Sequence, residues 1–130
     1  MLLAIIWARD ARGQAPQLAC VHMDKDTVAI TGRLERRTYP GPPNYESVKT
    51  GDAAETGFYL VLAAPICSQP GATAGGKRNV RLVQLVLDQR GYDSLRPRLG
   101  KSVTLRGTMF EAITGHHHAP LLLDLSYLRK

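Results

Sequence analysis

The chain has 130 residues, 44% of them hydrophobic, which is enough for one domain with its own core and too little for two. Its 17 Lys and Arg against 11 Asp and Glu give a net charge of +6, yet no dense basic run marks a polyanion site. Aromatic residues are only 6% of the chain, too sparse for a surface on which bases stack, so nucleic acid is not an expected partner.

Residues 1–8, MLLAIIWA, are apolar but far shorter than the roughly 20 residues a transmembrane helix needs. They read as the h-region of an atypical or truncated secretory signal. No basic residue precedes them, and Arg9, Asp10 and Arg12 follow. Gly13-Gln14-Ala15 offers a cleavage point, which assigns 1–15 to the signal and 16–130 to one domain; the other reading is an ordinary first strand. Export to the periplasm or beyond would put Cys20 and Cys67 in an oxidising compartment, where a disulfide between them is expected.

Thr27–Arg37 alternates with period two: Val28, Ile30, Gly32 and Leu34 face one way, Thr27, Ala29, Thr31 and Arg33 the other. Thr38–Thr56 breaks the pattern. Its Tyr39-Pro40-Gly41-Pro42-Pro43-Asn44-Tyr45-Glu46 run is too rich in Pro and Gly for a regular element, yet carries two tyrosines and a carboxylate. Gly57–Ser68 is an apolar strand, Gln69–Lys77 a turn, and Val80–Asp88 another strand. Gln89–Leu99 reads as a short helix with Asp93 or Ser94 as cap, Pro97 shortening it and Gly100 ending it.

Ser102–Met109 alternates again and shares its pattern with Thr27–Leu34: hydroxyl, Val, any, aliphatic, any, Gly, any, aliphatic. A glycine within a strand allows the sharp coiling that closes a small barrel. Thr114-Gly115 opens a connection carrying His116, His117 and His118, Ala119-Pro120 closes it, and Leu121–Leu128 resumes as a strand. Five strands with one short helix between the third and fourth is the order of the OB-fold, so the expected fold is mainly β, a small OB-fold-like Greek-key barrel. An open five-stranded α+β sandwich is the alternative.

GPPNYES at 41–47, LVLD at 85–88, LRPRLGKSVTLRGTMF at 95–110 and TGHHHAPLLL at 114–123 together resemble an uncharacterised family of exported bacterial domains. The resemblance runs from Cys20 onward, with TGHHHAP as its most specific piece. It implies export and a compact β-rich domain, and no reaction.

In an extended segment His116 and His118 project to one side and His117 to the other. Two imidazoles at that spacing can form half of a Zn²⁺ or Cu²⁺ site, with Glu46, Asp124, His22 or Glu111 as further ligands. Otherwise the three pack, cap and face water. In an OB-fold the loops after the first strand and between the last two flank the binding face. Those loops here carry Tyr39, Tyr45 and Glu46, and His116, His117 and His118. The chain lacks GxSxG, HExxH, P-loop and GxGxxG motifs, so no catalytic residue is assigned. The expectation is a non-catalytic binding module whose partner is a protein or envelope component, an inhibitor or immunity-type protein included. A transition-metal protein or small Zn-dependent hydrolase using His116 and His118 is the alternative.

Overall fold

The computed structural model describes residues 20–23, 27–70 and 75–125, so the segment assigned to a signal lies outside the described residues. The protein is mainly β: β1 (Cys20–Val21), β2 (Thr27–Pro40), β3 (Ala54–Ser68), β4 (Val80–Val86), β5 (Ser102–Glu111) and β6 (Leu121–Asp124) form one mixed sheet. Among the described residues one α-helix, α1 (Gln89–Leu95), lies between β4 and β5.

β2 pairs antiparallel with both β3 and β5. From β5 the pairing runs antiparallel to β6 and then parallel to β4, and β4 returns to β3. The sixth strand, which the sequence did not suggest, is the two-residue β1, parallel to the end of β3. It sits where Cys20 and Cys67 are joined by a disulfide, and their Cα atoms face each other in register.

β2 exceeds the expected Thr27–Arg37 by three residues, because Thr38, Tyr39 and Pro40 stay paired with Thr56, Glu55 and Ala54. Its burial alternates as read from the sequence, with Ile30, Gly32 and Leu34 inside. The strand changes partner at Arg33, which faces both Ser102 and Val61. The two segments of matching pattern are neighbours, Val28 opposite Gly107 and Gly32 opposite Val103. Gly107 is required by close approach: a Cβ there would lie 2.4 Å from the Asp124 carbonyl oxygen of β6.

Leu34, Leu60, Val83, Met109, Leu121 and Leu123 are completely buried and form the heart of the core. Each contributes about 1.5–3 kcal/mol by removal from water. Asp88, not Asp93 or Ser94, caps α1, its carboxylate accepting from the Gly91 N–H at 2.8 Å. Asp93 instead accepts from Gln89 and Arg96 within the helical segment. Pro97 turns the remainder into a 3-10 turn (Arg96–Arg98), and Gly100, at φ +87°, ends it. Leu95 and Tyr92 carry this segment onto the core, Tyr92 meeting Phe58 edge to face.

Candidate functional site

β2 and β3 place Tyr39 opposite Glu55, and β3 and β4 place Tyr59 opposite Gln84. Directly paired residues share a face, so these four lie on one side of the sheet, away from Phe58 and Leu60. Two loops rise beside this face, residues 41–53 and residues 112–120.

Loop 41–53 is organised by a buried carboxylate. Asp52 Oδ1 accepts from the Asn44 N–H at 2.9 Å, and Oδ2 accepts from those of Glu46 and Ser47 at 2.8 and 2.9 Å. These three bonds hold the Asp52 carboxyl below the usual carboxylate range. They flank Tyr45, whose φ of +57° lies in the left-handed region that few non-glycine residues adopt. The N–H of Tyr45 donates to the Gly41 carbonyl at 2.9 Å, so the strained backbone is tied on both sides. The outcome is a fixed platform presenting the Tyr45 ring, 40% exposed.

Loop 112–120 is organised by His117 and Gln84. His117 Nδ1 accepts from the Ile113 and Thr114 N–H groups at 2.9 and 3.3 Å, which puts the ring proton on Nε2. Its ring packs edge to face on Phe110. Gln84 reaches up from β4, donating from Nε2 to the His116 carbonyl at 3.3 Å and accepting at Oε1 from the His118 N–H at 2.6 Å. Gly115 lies against Tyr45, where a Cβ would come within 2.8 Å of the ring. The glycine of TGHHH therefore allows the two loops to touch.

His116 and His118 meet one carboxylate, Glu55. His116 Nδ1–H donates to Oε2 at 2.5 Å and His118 Nε2–H to Oε1 at 2.7 Å. The bond from His118, and then that from His116, hold the Glu55 carboxyl below its ordinary value. Tyr39 stacks on His118 with ring centroids 5.1 Å apart and meets Tyr59 edge on; Tyr45 meets His116 edge on. The chain of contacts continues outward. Arg37 donates to the Tyr39 hydroxyl at 3.2 Å and to Glu35 at 3.1 Å, and Arg33 donates to Glu35 from the other side. Between the loops and the sheet opens a cleft of about 320 Å³, lined by Glu55, Thr56, Gly57, Tyr59, Gln84, Tyr92, His116 and His118.

Of the residues singled out from sequence, Tyr39, Tyr45, His116 and His118 come together here. Tyr39 belongs to β2 rather than to the loop. His117 turns away to hold its own loop. Glu46 contributes its backbone N–H to Asp52, and its side chain is exposed. Glu111 lies elsewhere, accepting from the Gly76 N–H at 2.8 Å and from Ser68. Asp124 is paired with Thr108 at the end of β6, and His22 follows β1. Sequence reading missed Glu55, Asp52 and Gln84. For Glu55 a signal was present, since it lies in period-two step with Gly57 and Tyr59.

The donor types around Glu55 are those that Zn²⁺ and Cu²⁺ take. The nitrogens that face Glu55 are, however, at hydrogen-bond distance from its oxygens. Among the described residues no group of three His, Cys, Asp or Glu side chains is arranged to hold a metal ion. No helix among the described residues is long and apolar enough to cross a membrane.

The family model described as "Domain of unknown function (DUF4431)" matches residues 82–128. The chain is thus similar to that uncharacterised family over less than half its length. The match includes Gln84 and the histidine loop and leaves out Tyr39, Tyr45, Asp52 and Glu55. No curated protein and no solved structure matches the chain.

Proposed function

We propose that the chain is a non-catalytic, exported binding module. It is built on an OB-fold-like barrel and takes a protein or envelope component on the face between loops 41–53 and 112–120. The order of pairings β2–β3–β4–β6–β5, closing on β2, supports the barrel reading, in which the two loops flank the binding face. The disulfide supports an oxidising compartment.

The observation that carries the proposal is the contact between the loops over a polar cleft. Each loop is braced internally, by Asp52 in one and by His117 with Gln84 in the other. Bracing of this kind lowers the ordering cost of binding, and it leaves Tyr45 beside the cleft as an exposed aromatic anchor. Inhibitors that block an enzyme with a presented loop use the same economy.

The test is a photo-crosslinking amino acid at position 45 and, as control, at Arg106 on the exposed face of β5, each expressed in the periplasm. A defined crosslinked product at position 45 and none at 106 is the expected result. Equal products at both positions, or a product at 45 that persists when Gly115→Val pushes the loops apart, would sink the assignment of this face.

A further inference from the structure

We propose that the cleft beside Glu55 takes a cationic group, the guanidinium or ammonium of an arginine or lysine side chain on the partner protein. This rests on the binding reading above and gives that site a ligand chemistry.

Charge is the first support. The chain is basic overall, with a net +6, yet neither Lys nor Arg lines the cleft, and Glu55 is its one carboxylate. Arg37, a strand neighbour of Tyr39, is engaged by Glu35 and the Tyr39 hydroxyl. Both imidazoles at Glu55 donate N–H groups, so in their neutral form they orient the carboxylate without cancelling its charge. A carboxylate has about four lone-pair sites. The two imidazole bonds use two of them, and the Glu55 side chain keeps 26% of its exposure. An acceptor therefore remains open to a ligand.

Tyr59 is the second support, and it is independent of the first. It is 1% exposed, yet it lines the cleft. Its hydroxyl lies near Gly57, which lines the same cleft. A phenolic hydroxyl beside a cleft offers a hydrogen-bonding group to a ligand. Burial pushes the Tyr59 hydroxyl far above its ordinary pKa, so it stays a neutral O–H whose oxygen accepts from an ammonium or guanidinium. The hydroxyls of Tyr59 and Tyr92 both lie close to Gly57, where a Cβ would stand 3.8 Å from the Tyr92 oxygen and 3.9 Å from that of Tyr59. Two phenolic hydroxyls and one carboxylate thus belong to residues lining the cleft, all able to accept.

A protein side chain is favoured over a free amino acid by the rim. Tyr45 meets His116 at the mouth and is 40% exposed, which offers aromatic area to whatever backbone carries the cation.

The test is NMR titration of the full chain at about pH 8, where ordinary imidazole is neutral. The probes are a doubly blocked arginine (N-acetyl-arginine amide), the isosteric, uncharged N-acetyl-citrulline amide, and free arginine. The blocked arginine is expected to shift the Gln84 side-chain amide and the His118 ring saturably, and the citrulline probe to bind at least about tenfold more weakly. Glu55→Gln should abolish the arginine response. Tyr59→Phe, which keeps the ring, should weaken it several-fold without changing the backbone spectrum. Equal binding of the citrulline probe, no binding of the arginine probe, or an unchanged response in Glu55→Gln overturns the proposal. Tighter binding of free arginine than of the blocked form overturns the assignment to a protein side chain. A crosslinked partner at position 45 without any arginine response would remove this inference and leave the binding module standing.

Discussion

Glu55 Oε1 and His118 Nε2 lie 2.7 Å apart although 63 residues separate them in the chain. This bond and its twin to His116 tie the histidine loop to the start of β3. Glu55→Gln would keep one oxygen acceptor and replace the other with an NH₂ facing an imidazole N–H. One histidine must then lose its partner or change tautomer. The expected outcome is a lower denaturation midpoint and faster amide hydrogen exchange at 116–118, with the β2–β5 amides unchanged. Unchanged exchange at His118 would show that the carboxylate does not anchor the loop.

Asp52 has the same role in the other loop, through three backbone N–H donors. Its pKa and that of Glu55 are both depressed in the folded state. The stability they contribute is present above the unfolded carboxylate pKa of roughly 4, and it is lost as pH falls through the lower folded values. Asp52→Asn must turn an NH₂ toward at least one donor. It should lower the midpoint at neutral pH, flatten the acid limb of the stability curve, and free Tyr45 from its left-handed backbone. Denaturation midpoints between pH 7 and pH 2 measure the first two effects, and the Tyr45 coupling constant measures the third.

The strands were legible because burial on one face imposes period two, and β2 keeps that period from Val28 to Leu34. The mid-strand glycines were legible as special positions, read as points of coiling; that Gly107 serves a close approach to β6 came only with the structure. The partnership of the two matching segments was not, because nothing local says that Thr27 lies opposite Thr108. For the site, the loops and their chemistry could be read, while the residue that joins them offered only its period-two step with Gly57 and Tyr59. Ala54-Glu55-Thr56 is polar and follows a Pro/Gly loop, so it reads as more loop. Only the register with Tyr39-Pro40 makes it strand and turns Glu55 toward the histidines. Long-range register of this kind depends on how the whole sheet closes, which periodicity does not encode.

The disulfide closes a span of 47 residues between β1 and β3. In the chain-entropy model a loop of that size stabilises by about 4 kcal/mol. The Cys20→Ser, Cys67→Ser double variant is expected to lose about that much in urea denaturation, and the unreduced, denatured protein should show no free thiol. Two free thiols in protein isolated from the periplasm would contradict the bridge.

Gly107→Ala is expected to cost about 3 kcal/mol or to prevent folding, because overpacking against backbone has no flexible side chain to absorb it. The new methyl would stand 2.4 Å from the Asp124 carbonyl oxygen. Moving β6 away would also disturb its parallel pairing with β4, and with it the support of Gln84 under the histidine loop. Circular dichroism with thermal unfolding measures the cost. A fully stable Gly107→Ala protein would show that β5 and β6 are spaced more widely.

His117 couples the loop to pH. Burial first, and then the neighbouring His116 and His118 charges, hold its pKa below the ordinary value. Geometry points the same way, because a proton on Nδ1 would set a third donor against the Ile113 and Thr114 N–H groups. Unfolded histidine takes up its proton near pH 6.5, while the folded ring refuses it until the pH is lower. Between those values the unfolded state binds more protons, so stability is full above about pH 7 and falls as pH drops through 6.5 toward the folded pKa. In His117→Gln this decline should disappear, while stability at pH 8 is lower because the glutamine oxygen stands one bond further from the backbone than Nδ1 and is displaced from the two N–H groups. Urea midpoints from pH 8 to pH 5, for wild type and His117→Gln, measure both effects. Parallel curves would show that His117 titrates alike in the folded and unfolded chain, and that loop 112–120 does not depend on its neutral ring.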